Sequence, residues 1–158
     1  MNNPTYILDY IQKLAHSDPL VNEVTTDETD KAMFDKITMF PLLHISIGDF
    51  SYGDEFRTVI WQVDLLAVKV RQNKNEQTTD SFLGNTNKPD NFNETFAILN
   101  RLVSRIGADL DKKKNKVSTI GNGEPLDEFF GSQRDGFVIS LSLELPNNEI
   151  SLCQYPIA

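Results

Sequence analysis

The alternation of apolar and polar residues is dominated by one stretch, residues 56–70, with the sequence FRTVIWQVDLLAVKV. Valine, isoleucine and tryptophan are frequent in it, as they are in β-strands. Both alternating sets of positions carry apolar side chains, so the predicted strand needs cover on both faces. We expect one cover from a helix of the same chain and the other from a second layer or a neighbouring subunit. At about 3.3 Å per residue the stretch would span roughly 50 Å, so a bulge or a projecting end is expected.

Two segments have the periodicity of amphipathic helices. Residues 5–16 place Ile7, Ile11 and Leu14 on one face, with Asn3 as a predicted N-cap and Pro4 at the first helical position. Residues 91–110 give the clearer pattern. Its predicted buried stripe consists of Phe92, Phe96, Leu99, Val103, Ile106 and Leu110, widened by Ile98 and Leu102. This second helix is the natural cover for one face of the long strand.

The remaining strands are predicted from alternation and turn residues. Residues 41–51 alternate, and glycines and aspartates connect them to residues 56–70, which indicates a hairpin. Residues 137–145 place Phe137, Ile139, Leu141, Leu143 and Leu145 towards the core. Residues 134–136 are interpreted as a turn, and short strands are expected at 20–26, 117–120, 126–130 and 150–153. The order of elements predicts an α+β domain with a mostly antiparallel β-sheet and helices packed on one face.

Two polar segments stand out as candidate contact regions. Residues 71–90 are rich in Asn, Gln, Thr and Lys and predict a long loop or arm within a single domain spanning residues 1–158. Lysines crowd the turn after the second helix, where they form a solvated loop or contact a phosphate backbone or an acidic partner. The candidate subunit or partner contacts are Lys112, Lys113, Lys114, Lys116, Asn85, Asn87 and Lys88.

Charge and composition narrow the classes of function. The net charge of −8 argues against a broad basic surface for nucleic acid. Residues 1–80 carry 13 acidic and 7 basic residues, against 10 and 8 in residues 81–158. The acidic half is either a solvated surface or a patch that docks a basic partner. Cys153 is the only cysteine, so no intrachain disulfide is expected, and we interpret it as a small buried hydrophobe.

No motif for catalysis or cofactor binding is found in the sequence. There is no phosphate-binding loop and no nucleophile elbow, and the two histidines, His16 and His44, have no cysteine-rich partner for zinc. We therefore predict no catalytic residue, no cofactor and no metal, and a protein that is not an enzyme. No secretory signal and no apolar stretch of membrane-spanning length is present, so synthesis and retention in the cytoplasm are expected.

The order of several segments carries a family resemblance. After the first helix come FPLLHISIGD, VIWQVDLLAVKV, the helix start NFNETFAILNRLVSRI and the closing RDGFVISLSLELPNNEISLCQYP. This arrangement resembles the small head–tail connector or tail-completion (tail terminator) proteins of tailed bacteriophages. The similarity covers most of the chain as a pattern of elements.

The resemblance implies a tail-terminator-like fold and a structural virion protein. Such a protein would form a homo-oligomeric ring, a hexamer or alternatively a dodecamer, that caps the tail tube and joins tail to head. Its partners would be other tail and neck proteins, DNA would pass through without sequence-specific binding, and no membrane is involved. It would assemble in the host cytoplasm and reside in the virion. The alternative is a non-enzymatic accessory protein-binding module of a phage or bacterium.

Overall fold

The long apolar stretch forms the centre of a single mixed sheet. The computed structural model describes residues 3–26, 39–53, 55–71, 87–112, 116–127 and 134–147. The elements are helix α1 (Pro4–His16), strands β1 (Glu23–Thr26), β2 (Leu42–Gly53) and β3 (Thr58–Val70), helix α2 (Lys88–Lys112), and strands β4 (Lys116–Ile120), β5 (Glu124–Leu126) and β6 (Arg134–Pro146). The strand order is β1-β2-β3-β6-β4, and β5 also pairs with β6.

The predicted α+β class with a mostly antiparallel sheet is confirmed. Only the β1–β2 pairing is parallel among the described strands. Both helices contribute buried side chains to one core, which also contains one face of the sheet. The members of this core from the three central strands include Leu43, Ile45, Val63, Leu65, Ala67, Leu141, Leu143 and Leu145. The helices therefore lie on the same face, as the sequence pattern predicted.

Strand β3 is covered on both faces over its second half, from Leu65 to Val68. Opposite the helices, Leu66 and Val68 join Leu42 in a second, smaller cluster. In the described part of the chain, this second cover comes from Phe40, Leu126 and Val138 of the same chain. The expected irregularity lies in the partner strand, because the β2–β3 register shifts between Ile47 and Phe50.

Strand β3 begins two residues later than the apolar stretch. Glu55 and Phe56 have positive φ angles, 53° and 68°, and belong to the hairpin turn. Phe56 was predicted to be a strand residue, and that prediction is wrong. A positive φ is incompatible with extended backbone. Glu55 and Phe56 therefore belong to the turn, and pairing with β2 starts only at Thr58.

Helix α1 matches its prediction. The Asn3 side chain accepts a hydrogen bond from the Tyr6 backbone N–H at 2.8 Å, and Pro4 is the first helical residue. Ile7 and Ile11 are buried against the sheet. Local capping chemistry was therefore sufficient to place this helix.

Helix α2 begins at Lys88, so the last residues of the predicted 71–90 loop are helical. Its buried face is also rotated from the predicted stripe: Asn91 and Thr95 are buried, whereas Phe96 is exposed. The amide of Asn91 donates to the Val70 carbonyl at 3.0 Å, and the Thr95 hydroxyl donates to the Asn91 carbonyl at 2.7 Å. These bonds pair the side-chain donors of two polar residues at core positions, while the buried Oδ1 of Asn91 has no hydrogen-bond partner within the described residues.

Polar contacts connect the two helices across their exposed edge. Arg101 of α2 binds Asp18 through Nε and Nη2 at 2.8 and 2.9 Å. The hydroxyl of Tyr10 donates to Asp109 at 2.9 Å. Burial on its own would raise the pKa of Asp18. The hydrogen bonds that Asp18 accepts from Arg101 and from the Leu20 N–H outweigh burial, so the pKa of Asp18 lies below its ordinary value. Burial, followed by the bond to Asp109, raises the pKa of Tyr10.

The segment 134–136 was predicted to be a turn, and that prediction is wrong. Arg134, Asp135 and Gly136 are the first residues of β6 and pair with Val70, Lys69 and Val68. Gly136 is required by close approach of two strands: a Cβ there would lie 1.8 Å from the Ala67 carbonyl oxygen. The predicted strand at 150–153, Cys153 and residues 72–86 of the polar loop lie outside the described residues.

Candidate interaction surfaces

The predicted contact residues fall into two groups at opposite ends of α2. Asn87 and Lys88 lie at its start, and Lys112 is exposed at its end, about 36 Å away for a helix of this length. Lys116 is the first residue of β4. Lys113, Lys114 and Asn85 lie outside the described residues. The four described residues are therefore not brought together into one site.

An ion-pair cluster surrounds the start of α2. Arg71, which follows β3, binds Asp135 through Nε at 2.8 Å and Nη2 at 2.5 Å, and also binds Asp127. Lys88 binds Asp127 as well, and its ammonium lies 5.6 Å from the centre of the Phe92 ring. The cluster joins β3, α2, the residue after β5, and β6. Lys88 is thus engaged within its own chain.

The electrostatics of this cluster follow from its contacts. The hydrogen bonds from Lys88 and Arg71 hold the pKa of Asp127 below its ordinary value. The hydrogen bond to Asp135 raises the pKa of Arg71, so its guanidinium stays charged. Asp135 is fully buried, and removing it would leave the guanidinium of Arg71 without its buried counter-charge. We interpret the cluster as a structural connection. Sequence reasoning missed it because its members come from four separate segments.

Among the residues that the structure describes, aromatic side chains at the end of the β2–β3 hairpin form the most exposed apolar surface. We call Phe50, Tyr52 and Phe56 the aromatic tip; their exposed fractions are 53%, 54% and 71%. The Tyr52 ring lies 5.8 Å from Phe50 and 5.4 Å from Phe56, centre to centre. Phe50 also packs at 5.0 Å on Trp61, which reaches the main core. These rings support one another while presenting their outer faces to solvent.

The aromatic tip was not predicted from the sequence. Residues 48–49 and 51–54 were interpreted as turn chemistry, and Phe50 and Phe56 as residues of the two flanking strands. A usable signal was present, because Phe50 and Tyr52 are two residues apart and so point to one face of a strand. The tip begins at the register shift in β2, which lies between Ile47 and Phe50. Residues 48–52, in and after this shift, are all exposed.

A second apolar surface is a groove between α2 and the β4–β6 edge of the sheet, with a volume of about 570 Å³. We call it the α2 groove; its apolar walls are Phe96, Leu99, Val103, Ile120, Phe137 and Ile139. Phe96 and Ile120 are 59% and 57% exposed. On the helix, Gly107 and Ala108 line the groove, and their small side chains leave it open. Because the buried face of α2 differs from the predicted stripe, residues that the sequence pattern assigned to the core are exposed in this groove.

The two histidines have different surroundings. His16 is exposed in the last turn of α1, and His44 lies on the sheet with its Nδ1 2.8 Å from the Thr25 hydroxyl. Within the described ranges, no group of three or more His, Cys, Asp or Glu side chains is arranged to hold a metal ion. No helix over the same ranges is both long enough and apolar enough to cross a membrane.

Comparison with known proteins assigns no family to the chain. No protein-family model matches it. No curated protein matches its sequence either.

Proposed function

We propose that the chain is a structural virion protein of a tailed phage that forms a homo-oligomeric ring at the head–tail junction, as a tail terminator or neck protein. The observation that carries this proposal is the aromatic tip, with three rings each more than half exposed. Contiguous exposed apolar surface of this kind marks protein interaction sites. Aromatic residues are also enriched at interfaces, where they act as anchors.

The phage assignment rests on the resemblance to head–tail connector and tail-completion proteins. The α+β fold with a hairpin and a long α2 agrees with that resemblance at the level of fold class only. Within a ring, the net charge of −8 per chain would repel the phosphate backbone. DNA would then pass the ring without sequence-specific binding. A sixfold ring is the first expectation, and a twelvefold ring is the alternative.

A stop codon in the gene tests the virion role. We expect infected cells to accumulate unjoined heads and tails, visible by electron microscopy, and we expect wild-type protein supplied in trans to restore complete particles. Mass spectrometry of purified wild-type virions should detect the chain. Complete infectious particles formed without it would contradict the proposal.

A second candidate function is a non-enzymatic accessory protein-binding module. The α2 groove favours it, because an open apolar groove beside a helix suits an apolar segment of another protein. The virion experiment distinguishes the two candidates. An accessory module would be absent from purified particles and would be dispensable for joining heads to tails.

A further inference from the structure

We propose that the aromatic tip of one copy packs into the α2 groove of a second copy, and that this contact builds the assembly. The inference rests on the proposed ring, for which it names the two contacting surfaces. The tip supplies Phe50, Tyr52 and Phe56, and the groove supplies an apolar floor from β6 and an apolar wall from α2.

The volumes of the two surfaces match. A cavity of about 150 Å³ lined by apolar side chains accommodates one benzene-sized ring. The α2 groove, with a volume of about 570 Å³, therefore has room for about three rings. Three exposed rings stand on the tip. Phe96 and Phe137, whose ring centres are 6.3 Å apart, would offer aromatic contacts to the entering rings.

The two surfaces of one chain cannot meet each other. Thr58, at the tip end of the hairpin, pairs with Pro146 at the end of β6, whereas Phe137 of the groove lies near its start. At about 3.3 Å per residue, roughly 30 Å of β6 separates Pro146 from Phe137, and roughly 17 Å separates Pro146 from Leu141, the partner of the groove residue Ile120. Both belong to the same sheet, so the tip cannot fold back on its own groove. An aromatic tip that occupies the groove must therefore come from another chain.

The area explains why a closed assembly is expected. An aromatic side chain has about 200 Å² of surface, so the exposed fractions of the tip correspond to roughly 350 Å². The exposed parts of Phe96 and Ile120 bring one contact to roughly 600 Å². Stable interfaces bury about 1,200–2,000 Å². One contact is thus too small for a stable dimer. Each chain has one tip and one groove and so takes part in two contacts, and in a closed ring every tip and every groove is occupied.

Charged residues flank both surfaces: acidic groups border the tip, and Lys112, with the exposed Asp111 beside it, borders the groove. Asp49 and Glu55 are exposed next to the rings of the tip, although Glu55 lies 4.0 Å from Arg57. Lys112 is exposed on α2, one turn beyond Ala108 at the end of the groove. Docking the tip would bring acidic groups towards this lysine. One of the residues predicted from the sequence as a contact would then border the interface.

Two variants test the contact from both sides. The tip variant is Phe50→Ser with Tyr52→Ser and Phe56→Ser, which removes the exposed rings. The groove variant is Gly107→Glu, which places a carboxylate in the groove; a Cβ at Gly107 has no atom within 4 Å, and Glu is a better helix former than Gly. The charge-matched control is Asn93→Glu, at an exposed position of α2 that does not line the groove. Circular dichroism confirms that each variant is folded.

Native mass spectrometry and sedimentation velocity then give the association state. We expect the wild type and Asn93→Glu to assemble, and each of the two test variants to associate more than about 100-fold more weakly. An equimolar mixture of the tip and groove variants should give a heterodimer at high concentration, because one intact tip and one intact groove remain between them.

Three results would overturn the inference. The first is a wild type that stays monomeric at every concentration. The second is assembly of both variants to the same extent as the wild type. This result would reject the contact between tip and groove, and the proposed ring would then have to be built through other surfaces. The third is a groove variant with lowered thermal stability and unchanged mass, which would indicate that the groove is covered by the same chain. Each result is separate from the stop-codon experiment, which reports on the virion role.

Discussion

Replacing Gly136 with alanine tests the central strand pairing of the fold. The new Cβ would lie 1.8 Å from the Ala67 carbonyl oxygen, 2.8 Å from its carbonyl carbon and 2.9 Å from the Val68 Cα, all backbone atoms of β3. The φ angle of Gly136 is not in the left-handed region, so the effect is steric. No side-chain rotation relieves such a clash, and the two strands must move apart.

The size of the effect follows from that displacement. Moving the Cβ from 1.8 Å to a contact of at least 3.0 Å requires a shift of about 1.2 Å. A backbone hydrogen bond lengthened from about 2.9 Å by this amount is lost. Each buried group left unpaired costs about 1–3 kcal/mol, and two such groups plus disturbed packing give a loss of about 3–5 kcal/mol. That is a large part of the 5–15 kcal/mol typical of a folded domain.

Urea unfolding measures this loss through the fluorescence of Trp61, the only tryptophan, which packs on the main core. Protein concentration is held constant, because association stabilises the folded state. The control is Gly123→Ala, where an added Cβ has no atom within 4 Å and a change within about 0.5 kcal/mol is expected. A Gly136→Ala protein with wild-type stability would refute the register of β3 against β6.

Three further substitutions probe the core and the ion pairs. Leu141→Asp places an unpaired charge at a fully buried position of β6 and should abolish folding by circular dichroism; a soluble, cooperatively unfolding variant would show that the core face is wrong. Asp135→Ala removes a buried partner of Arg71 and should cost about 3 kcal/mol in urea unfolding, against less than about 1 kcal/mol for the exposed Asp127→Ala; equal losses would contradict the burial argument. The pKa of Asp18 is lower in the folded state than in the unfolded chain, where it is about 3.9. The ionised carboxylate therefore contributes fully to the free energy of unfolding above about pH 3.9, and this contribution is lost as the pH falls through the folded-state pKa. Asp18→Asn should therefore be less stable than wild type near neutral pH, by at most about 1 kcal/mol because Arg101 is partly exposed, and the difference should vanish in acid; a constant difference would exclude the ion pair as its cause.

Local chemistry in the sequence was sufficient for several elements. Helix α1 has its cap, its proline and its apolar spacing within one segment, so nothing distant is needed to place it. The β2–β3 hairpin and the core face of β6 follow from alternation and turn residues. In these segments the local preference and the tertiary contacts agree.

Other features depended on contacts between distant segments. The buried face of α2 includes Asn91 because the Val70 carbonyl of β3 accepts its hydrogen bond, which periodicity in the helix cannot reveal. Gly136 resembled a turn glycine, but it is needed because β3 approaches β6 closely. The aromatic tip and the α2 groove are surfaces, and exposure is decided by what the rest of the chain fails to cover. Lys88, chosen as a candidate contact by its polarity, also binds Asp127 within the fold, a pairing that the sequence alone does not reveal.

Native mass spectrometry of the wild type beside the tip variant decides whether the aromatic tip builds the assembly. The two proteins are compared at matched concentrations over the widest accessible range. We expect a closed oligomer for the wild type, sixfold or twelvefold, and a monomer for the variant lacking the three rings. A wild type that remains monomeric throughout, or a tip variant that forms the same oligomer, would contradict it.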